Sequence, residues 1–127
     1  MSRILVIEDE DAIRANLRRF LRLEGYEVFE AADGRAGVEA ARAKRPDLII
    51  CDLMMPELDG FAVLKEVRAD PATRRVAFCF LTASAERDTR HAGLAQGADA
   101  YVTKPFELGE MREVIARLLG NSPSRGD

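Results

Sequence analysis

Five short apolar runs punctuate the chain, and stretches with a helical period separate them. The runs are Arg3–Ile7, Tyr26–Glu30, Leu48–Cys51, Val76–Leu81 and Ala100–Thr103, each of strand length. Leu48–Cys51 and Val76–Leu81 are almost continuously apolar, the pattern of central strands covered on both faces. Between the runs, Ile13, Leu17, Phe20 and Leu21 share one helical face, with Gly25 following as a stop. Asp33 precedes an alanine-rich helix that ends before Pro46. Asp59-Gly60 leads a helix with Phe61, Leu64 and Val67 on its apolar face. Leu108, Met111, Ile115 and Leu118 make the last face, closed by Gly120. Glu86–Gln96 is the weakest helix, because its apolar side is mostly Ala92, Leu94 and Ala95; little burial predicts mobility. Strands alternating with helices predict an α/β fold with a five-stranded parallel sheet, helices on both faces and right-handed crossovers.

At 127 residues the chain fits one domain, with 47% hydrophobic and 32% charged residues. Residues 1–120 are expected to form it, and the polar 121–127 a tail or linker stub. A net charge of −3 gives no reason to expect direct contact with nucleic acid or an anionic membrane. The apolar run Ile4–Ile7 is too short for a signal-peptide core or a membrane span. Cys51 and Cys79 lie inside apolar runs and read as buried free thiols. A cytoplasmic protein is the resulting expectation.

Ligands of an open parallel sheet bind beyond the carboxyl ends of its strands. Strand 1 ends in Glu8-Asp9, strand 3 in Asp52 and strand 4 in Thr82, and Lys104 follows strand 5. Strand 2 ends in Glu30-Ala31 and offers nothing obvious. Each residue alone has a plain reading. Glu8 to Asp11 could be a solvated turn capping the first helix, Asp52 a loop carboxylate, Thr82 a strand end and Lys104 a surface lysine. Together they put three carboxylates, a hydroxyl and an amine on one edge. Like charges ~4 Å apart repel by about 1 kcal/mol in water and about 4 kcal/mol at an effective dielectric near 20, so the cluster needs a cation. Hard oxygen donors without nearby His or Cys select Mg²⁺, or Mn²⁺, and His91 lies apart in the weak helix. A carboxylate beside a metal, a lysine and a hydroxyl is equipped to attack phosphorus. A flavin-binding relative of this topology would need a glycine- and hydroxyl-rich phosphate loop where Glu8-Asp9-Glu10-Asp11 stands. A phosphatase of the haloacid-dehalogenase type would need an acid at Met54.

Five stretches then resemble the receiver domains of two-component response regulators. They are Ile4–Glu10, Pro46–Pro56, Asp59-Gly60, Phe80–Ala83 and Gly97–Phe106, in order and correctly spaced, within a likeness running from about Arg3 to Leu119. The resemblance implies a flavodoxin-like sheet of order 2-1-3-4-5. It implies that Asp52 is phosphorylated, that Asp9, Asp52 and the backbone carbonyl of Met54 bind the metal, and that Glu8 acts through a metal-bound water. Thr82 and Lys104 would contact the phosphoryl group, Thr82 and Tyr101 would switch, and the bond before Pro105 would be cis. The donor would be a sensor histidine kinase or a histidine phosphotransfer protein. Output to a downstream protein or domain would pass through the Glu86–Gln96 helix, strand 5 and the last helix. Three departures stand out. Glu8 occupies a position where Asp is frequent, which implies tuning. Met54 and Ser84 flank the path of hydrolytic water, and the bulky Met54 implies slow phosphate loss. Ala100 and Val114 lack the acid and arginine of one common dimer, so a monomer or weak dimer is expected. The alternative is a receiver-like binding module that works without phosphate.

Overall fold

A computed structural model describes residues 2–83 and 96–120. Its elements are β1 (Arg3–Ile7), α1 (Asp11–Leu23), β2 (Glu27–Ala31), α2 (Gly34–Lys44), β3 (Leu48–Asp52), α3 (Gly60–Ala69), β4 (Ala77–Thr82), β5 (Ala100–Thr103) and α4 (Leu108–Leu119). The strands form one parallel sheet of order β2-β1-β3-β4-β5. This is the architecture expected from the sequence. The expected Glu86–Gln96 helix, apart from Gln96 itself, lies outside the described residues, as do Ser84 and the 121–127 tail; His91 falls within that stretch.

The period of two along each strand divides the core into two layers. Leu5, Ile7, Ile49, Cys51, Phe78 and Phe80 face α2 and α3, where Val38, Val63 and Leu64 meet them. Ile4, Val6, Leu48, Ile50, Cys79, Leu81 and Val102 face α1 and α4, against Leu17, Leu21, Met111 and Ile115. β3 is buried at every position, as its apolar run requires.

Helix starts follow local chemistry. Asp33 Oδ1 accepts the Ala36 N–H at 2.8 Å, and Asp59 Oδ1 accepts that of Ala62 at 2.9 Å. α1 differs: Glu10 holds the cap position without a side-chain cap, and Asp11 is already helical. Two strand starts move, and the ends of β2, β3 and β4 each extend by one residue. Tyr26 N–H donates to Leu21 O, which keeps Tyr26 in the turn after α1, and Val76 N–H donates to Thr73 O, which delays β4 by one residue. Leu108, expected on a buried face, is 51% exposed.

Gly60 sets how closely α3 approaches the end of β3. Its N–H donates to Leu53 O at 2.9 Å, and a Cβ there would stand 2.6 Å from Asp52 O and 2.8 Å from Leu53 Cα. Those neighbours are backbone and cannot rotate away. Gly60→Ala should therefore lower the unfolding free energy by about 1–3 kcal/mol in urea titrations. Gly109→Ala, whose Cβ would meet nothing within 4 Å in the first turn of α4, should instead be neutral or gain up to about 1 kcal/mol.

Candidate functional site

The parallel register decides which side chains meet. Ile7 pairs with Cys51, Asp52 with Leu81, and Thr82 with Thr103, so the next residues of β1 and β5, Glu8 and Lys104, close over the same edge. Carboxylate oxygens of Glu8, Asp9 and Asp52 all lie within 4.8 Å of one another. Glu8 is fully buried and Asp52 is 4% exposed, while Asp9 is more open. Lys104 Nζ lies 2.9 Å from Glu8 Oε1, 3.5 Å from Asp52 Oδ2 and 3.8 Å from Glu10 Oε1. Its nearest carboxylate is thus Glu8, the residue that departs from the common Asp. Glu8 Oε2 accepts the Glu10 N–H at 3.1 Å. Glu8 Oε1 has the ammonium beside it but no well-aligned hydrogen bond, which leaves a buried anionic oxygen short of a directed partner.

This donor set fits a hard divalent cation. The three clustered groups are carboxylates, and one of their buried oxygens lacks a directed donor. The neighbouring Cys51 is no competitor: burial and the charges of Asp52 and Glu8 push its thiol well above the usual range. The Cys51 sulfur also lies 3.3 Å from Asp52 O, as a donor would. Asp9, Asp52 and Glu8 are the residues that would surround the ion. Met54 N–H donates to Asp52 Oδ1 at 3.3 Å, which ties the turn after β3 to the Asp52 carboxylate. The Met54 residue is 69% exposed at the rim.

Thr82 is fully buried at the end of β4, and its carbonyl accepts the Lys104 N–H at 2.7 Å. The Lys104–Pro105 bond is cis. Tyr101 is half-buried and meets Phe80 edge-on at 6.4 Å, and Phe80 meets Phe61 and Phe78 in the same manner at 5.4 and 5.2 Å. The structure therefore brings Glu8, Asp9, Asp52, Thr82 and Lys104 to one place, with Met54 and Tyr101 at its borders. Strand 2 adds no group to this cluster, as expected, but its Glu30 meets two arginines of α1. Glu30 faces Arg14 Nε at 3.4 Å and accepts from Arg18 Nη1 at 3.0 and 3.1 Å. The available signal was two arginines one helical turn apart on α1, on the side facing β2.

An apolar groove of about 700 Å³ opens beside Lys104, between α1 and the β5–α4 connection. Ile13, Phe20, Leu23, Phe106 and Leu108 line it, and Arg19 stands in its wall. Leu23 is 80% exposed there.

Burial pushes the Asp52 carboxyl up to about 7, with the Glu8 charge adding to it and Lys104 opposing. Burial works against the Lys104 charge, but contact with Glu8 and the charges of Asp52, Glu8 and Glu10 outweigh it and raise its pKa. The folded chain then holds the Asp52 proton more tightly than the unfolded chain. Without divalent ions, stability from this group is greatest below about pH 4 and declines as pH rises towards 7. Asp52→Asn should raise the unfolding free energy by about 1–2 kcal/mol at pH 8 in a chelator, a gain that fades below about pH 4; urea titrations at the two pH values check it.

Residues 4–116 match the response regulator receiver domain family, and the chain belongs to it. It is 43% identical to the transcriptional regulatory protein PrrA of Mycobacterium tuberculosis over 117 residues, which cover 92% of this chain and 49% of that protein. It is 40% identical over 119 residues to the DNA-binding dual master transcriptional regulator RpaA of a Synechocystis strain, covering 94% of this chain and 49% of RpaA. The chain thus spans about half the length of these relatives. Among solved structures, the chemotaxis protein CheY4 of Vibrio cholerae superposes with a TM-score of 0.89 at 33% identity, covering 94% of this chain and 99% of that one. The receiver domain of the sensor histidine kinase PA1611 of Pseudomonas aeruginosa superposes at 0.87 with 35% identity, covering 94% and 98%, and holds a magnesium ion coordinated in its active-site cleft. Among the described residues, no helix is long and apolar enough to cross a membrane.

Proposed function

We propose that this receiver accepts a phosphoryl group on Asp52 from a phosphohistidine on a sensor histidine kinase or a histidine phosphotransfer protein. The observation that supports this most is the buried Asp52 carboxylate among Glu8, Asp9 and Lys104, an acidic cluster with one ammonium beside it. Mg²⁺, for which Mn²⁺ could substitute, would be held by Asp9, Asp52 and the Met54 carbonyl, with Glu8 acting through a water. A bound divalent ion supplies charge neutralisation for the carboxylates and the incoming phosphoryl oxygens.

Asp52 attacks phosphorus as the carboxylate: the Asp52 O–P bond forms, the P–N bond breaks, and the departing imidazole keeps the electron pair and takes a proton. Lys104 exchanges its Glu8 contact for a phosphoryl oxygen, and the Thr82 hydroxyl donates to another. Both residues bind the phosphorylated form better in one conformer, and Tyr101 follows Thr82; this shifts a pre-existing equilibrium. β5, α4 and the Glu86–Gln96 segment then present the changed surface to a downstream protein or output domain. We place the domain in the cytoplasm, as a monomer or weak dimer, off the membrane and without direct DNA contact of its own. The buried free thiols Cys51 and Cys79 support a reducing compartment. The names of PrrA and RpaA speak of whole proteins about twice this length.

Incubation with acetyl phosphate and Mg²⁺ should add one phosphate by intact mass. The gain should vanish in Asp52→Asn and in a chelator; an unmodified wild-type chain would overturn the reading. Once formed, the phosphorylated domain should persist for minutes or longer, because Met54 obstructs the approach of water. Met54→Ala should shorten that lifetime several-fold in a phosphate-release assay, and release within seconds from the wild type would refute the role given to Met54.

A further inference from the structure

The loop that carries Glu8 and Asp9 lacks the usual fastening. Glu10, at the cap position of α1, makes no side-chain cap, so the turn of α1 that follows the acidic loop is held in another way. Arg14 reaches back from that helix. Its Nη1 donates to the backbone carbonyl of Glu8 at 2.7 Å, and its Nη2 to Asp11 Oδ1 at 2.6 Å. Its Nε stands 3.4 Å from Glu30 Oε1 at the end of β2. The side chain is 17% exposed, so much of its length is packed rather than solvated. Arg18 holds Glu30 from the other side at 3.0 Å. One planar guanidinium therefore ties the end of β1, the start of α1 and the end of β2 together. A lysine head could not bridge these three anchors in the same fork.

Each contact has a direction that matters. Arg14 engages the main chain of Glu8 and leaves its carboxylate to Lys104 and Glu10 N–H. Its charge is spent on Asp11 and Glu30, neither of which belongs to the Glu8–Asp9–Asp52 cluster.

We infer that Arg14 is a positioning residue for divalent-cation binding: it fixes the Glu8 carbonyl so that the Glu8 and Asp9 carboxylates converge on Asp52 before the ion arrives. This rests on the metal-assisted reading of the site. Outer-shell partners of metal ligands commonly contribute about tenfold or more to affinity. The competing view is that Arg14 is only a nearby positive charge. That view predicts the opposite sign, because removing a cation near an acidic site should tighten cation binding.

Isothermal titration of the whole chain with Mg²⁺ separates the two. Arg14→Met should weaken Mg²⁺ binding about tenfold, and Arg14→Lys should recover only part of the loss. The Mg²⁺ concentration giving half-maximal labelling by acetyl phosphate should rise in parallel, while the rate at saturating Mg²⁺ stays within about twofold of wild type. A general folding defect would also lower the rate at saturating Mg²⁺. Unchanged or tighter Mg²⁺ binding in Arg14→Met overturns the proposal. If Arg14→Met does not fold, Arg14→Lys decides: wild-type affinity overturns the proposal and a loss supports it. A wild-type chain that takes up no Mg²⁺ at all would instead remove the metal-assisted reading itself.

Discussion

Three carboxylates crowd together at the carboxyl edge of the sheet, two of them almost wholly out of water, and Lys104 leans into the group. Such crowding is unfavourable unless positive charge is close. Burial and the Glu8 charge push Asp52 up to about 7, and the ammonium offsets only part of this. Much of the chemistry follows from that tension. A site that repels its own charges favours cations. Lys104 sits nearer Glu8, at 2.9 Å, than Asp52, at 3.5 Å.

The fold maintains this arrangement through backbone rather than through the acidic residues themselves. Parallel registers of β1, β3, β4 and β5 bring four strand ends level. Gly60 lets α3 begin against the Asp52 carbonyl. The bond from Lys104 N–H to Thr82 O joins the two residues expected to share the phosphoryl oxygens. Behind Thr82, the Phe61–Phe80–Tyr101 ring contacts run from α3 across β4 to β5. The strand ends are thus backed by a packed aromatic row.

Much of this was legible in the sequence. Leu48–Cys51 and Val76–Leu81 could only be central strands, and the strand ends named Glu8, Asp9, Asp52, Thr82 and Lys104 without reference to coordinates. The two strand starts that moved did so through turn hydrogen bonds at Tyr26 and Val76, which no periodicity reveals. Leu108 escaped its expected burial because the stripe it belongs to ends in an open groove. The Arg14–Glu30 contact was invisible for a different reason. It joins residues sixteen apart through the crossing of α1 over β2, and an arginine on a helix reads as solvated until its partners are placed. Glu8 was read as a metal-water ligand, and its contact with Lys104 depends on side-chain reach in three dimensions.

The central claim, that crowded carboxylates are relieved by a hard divalent ion, is tested most directly by melting the native chain at pH 8 in a chelator and then in millimolar Mg²⁺. An ion that binds only the folded site should raise the melting temperature by about 3–6 °C. The rise should be lost when Asp9 is changed to Asn. Superimposable melting curves in the two conditions would contradict the account.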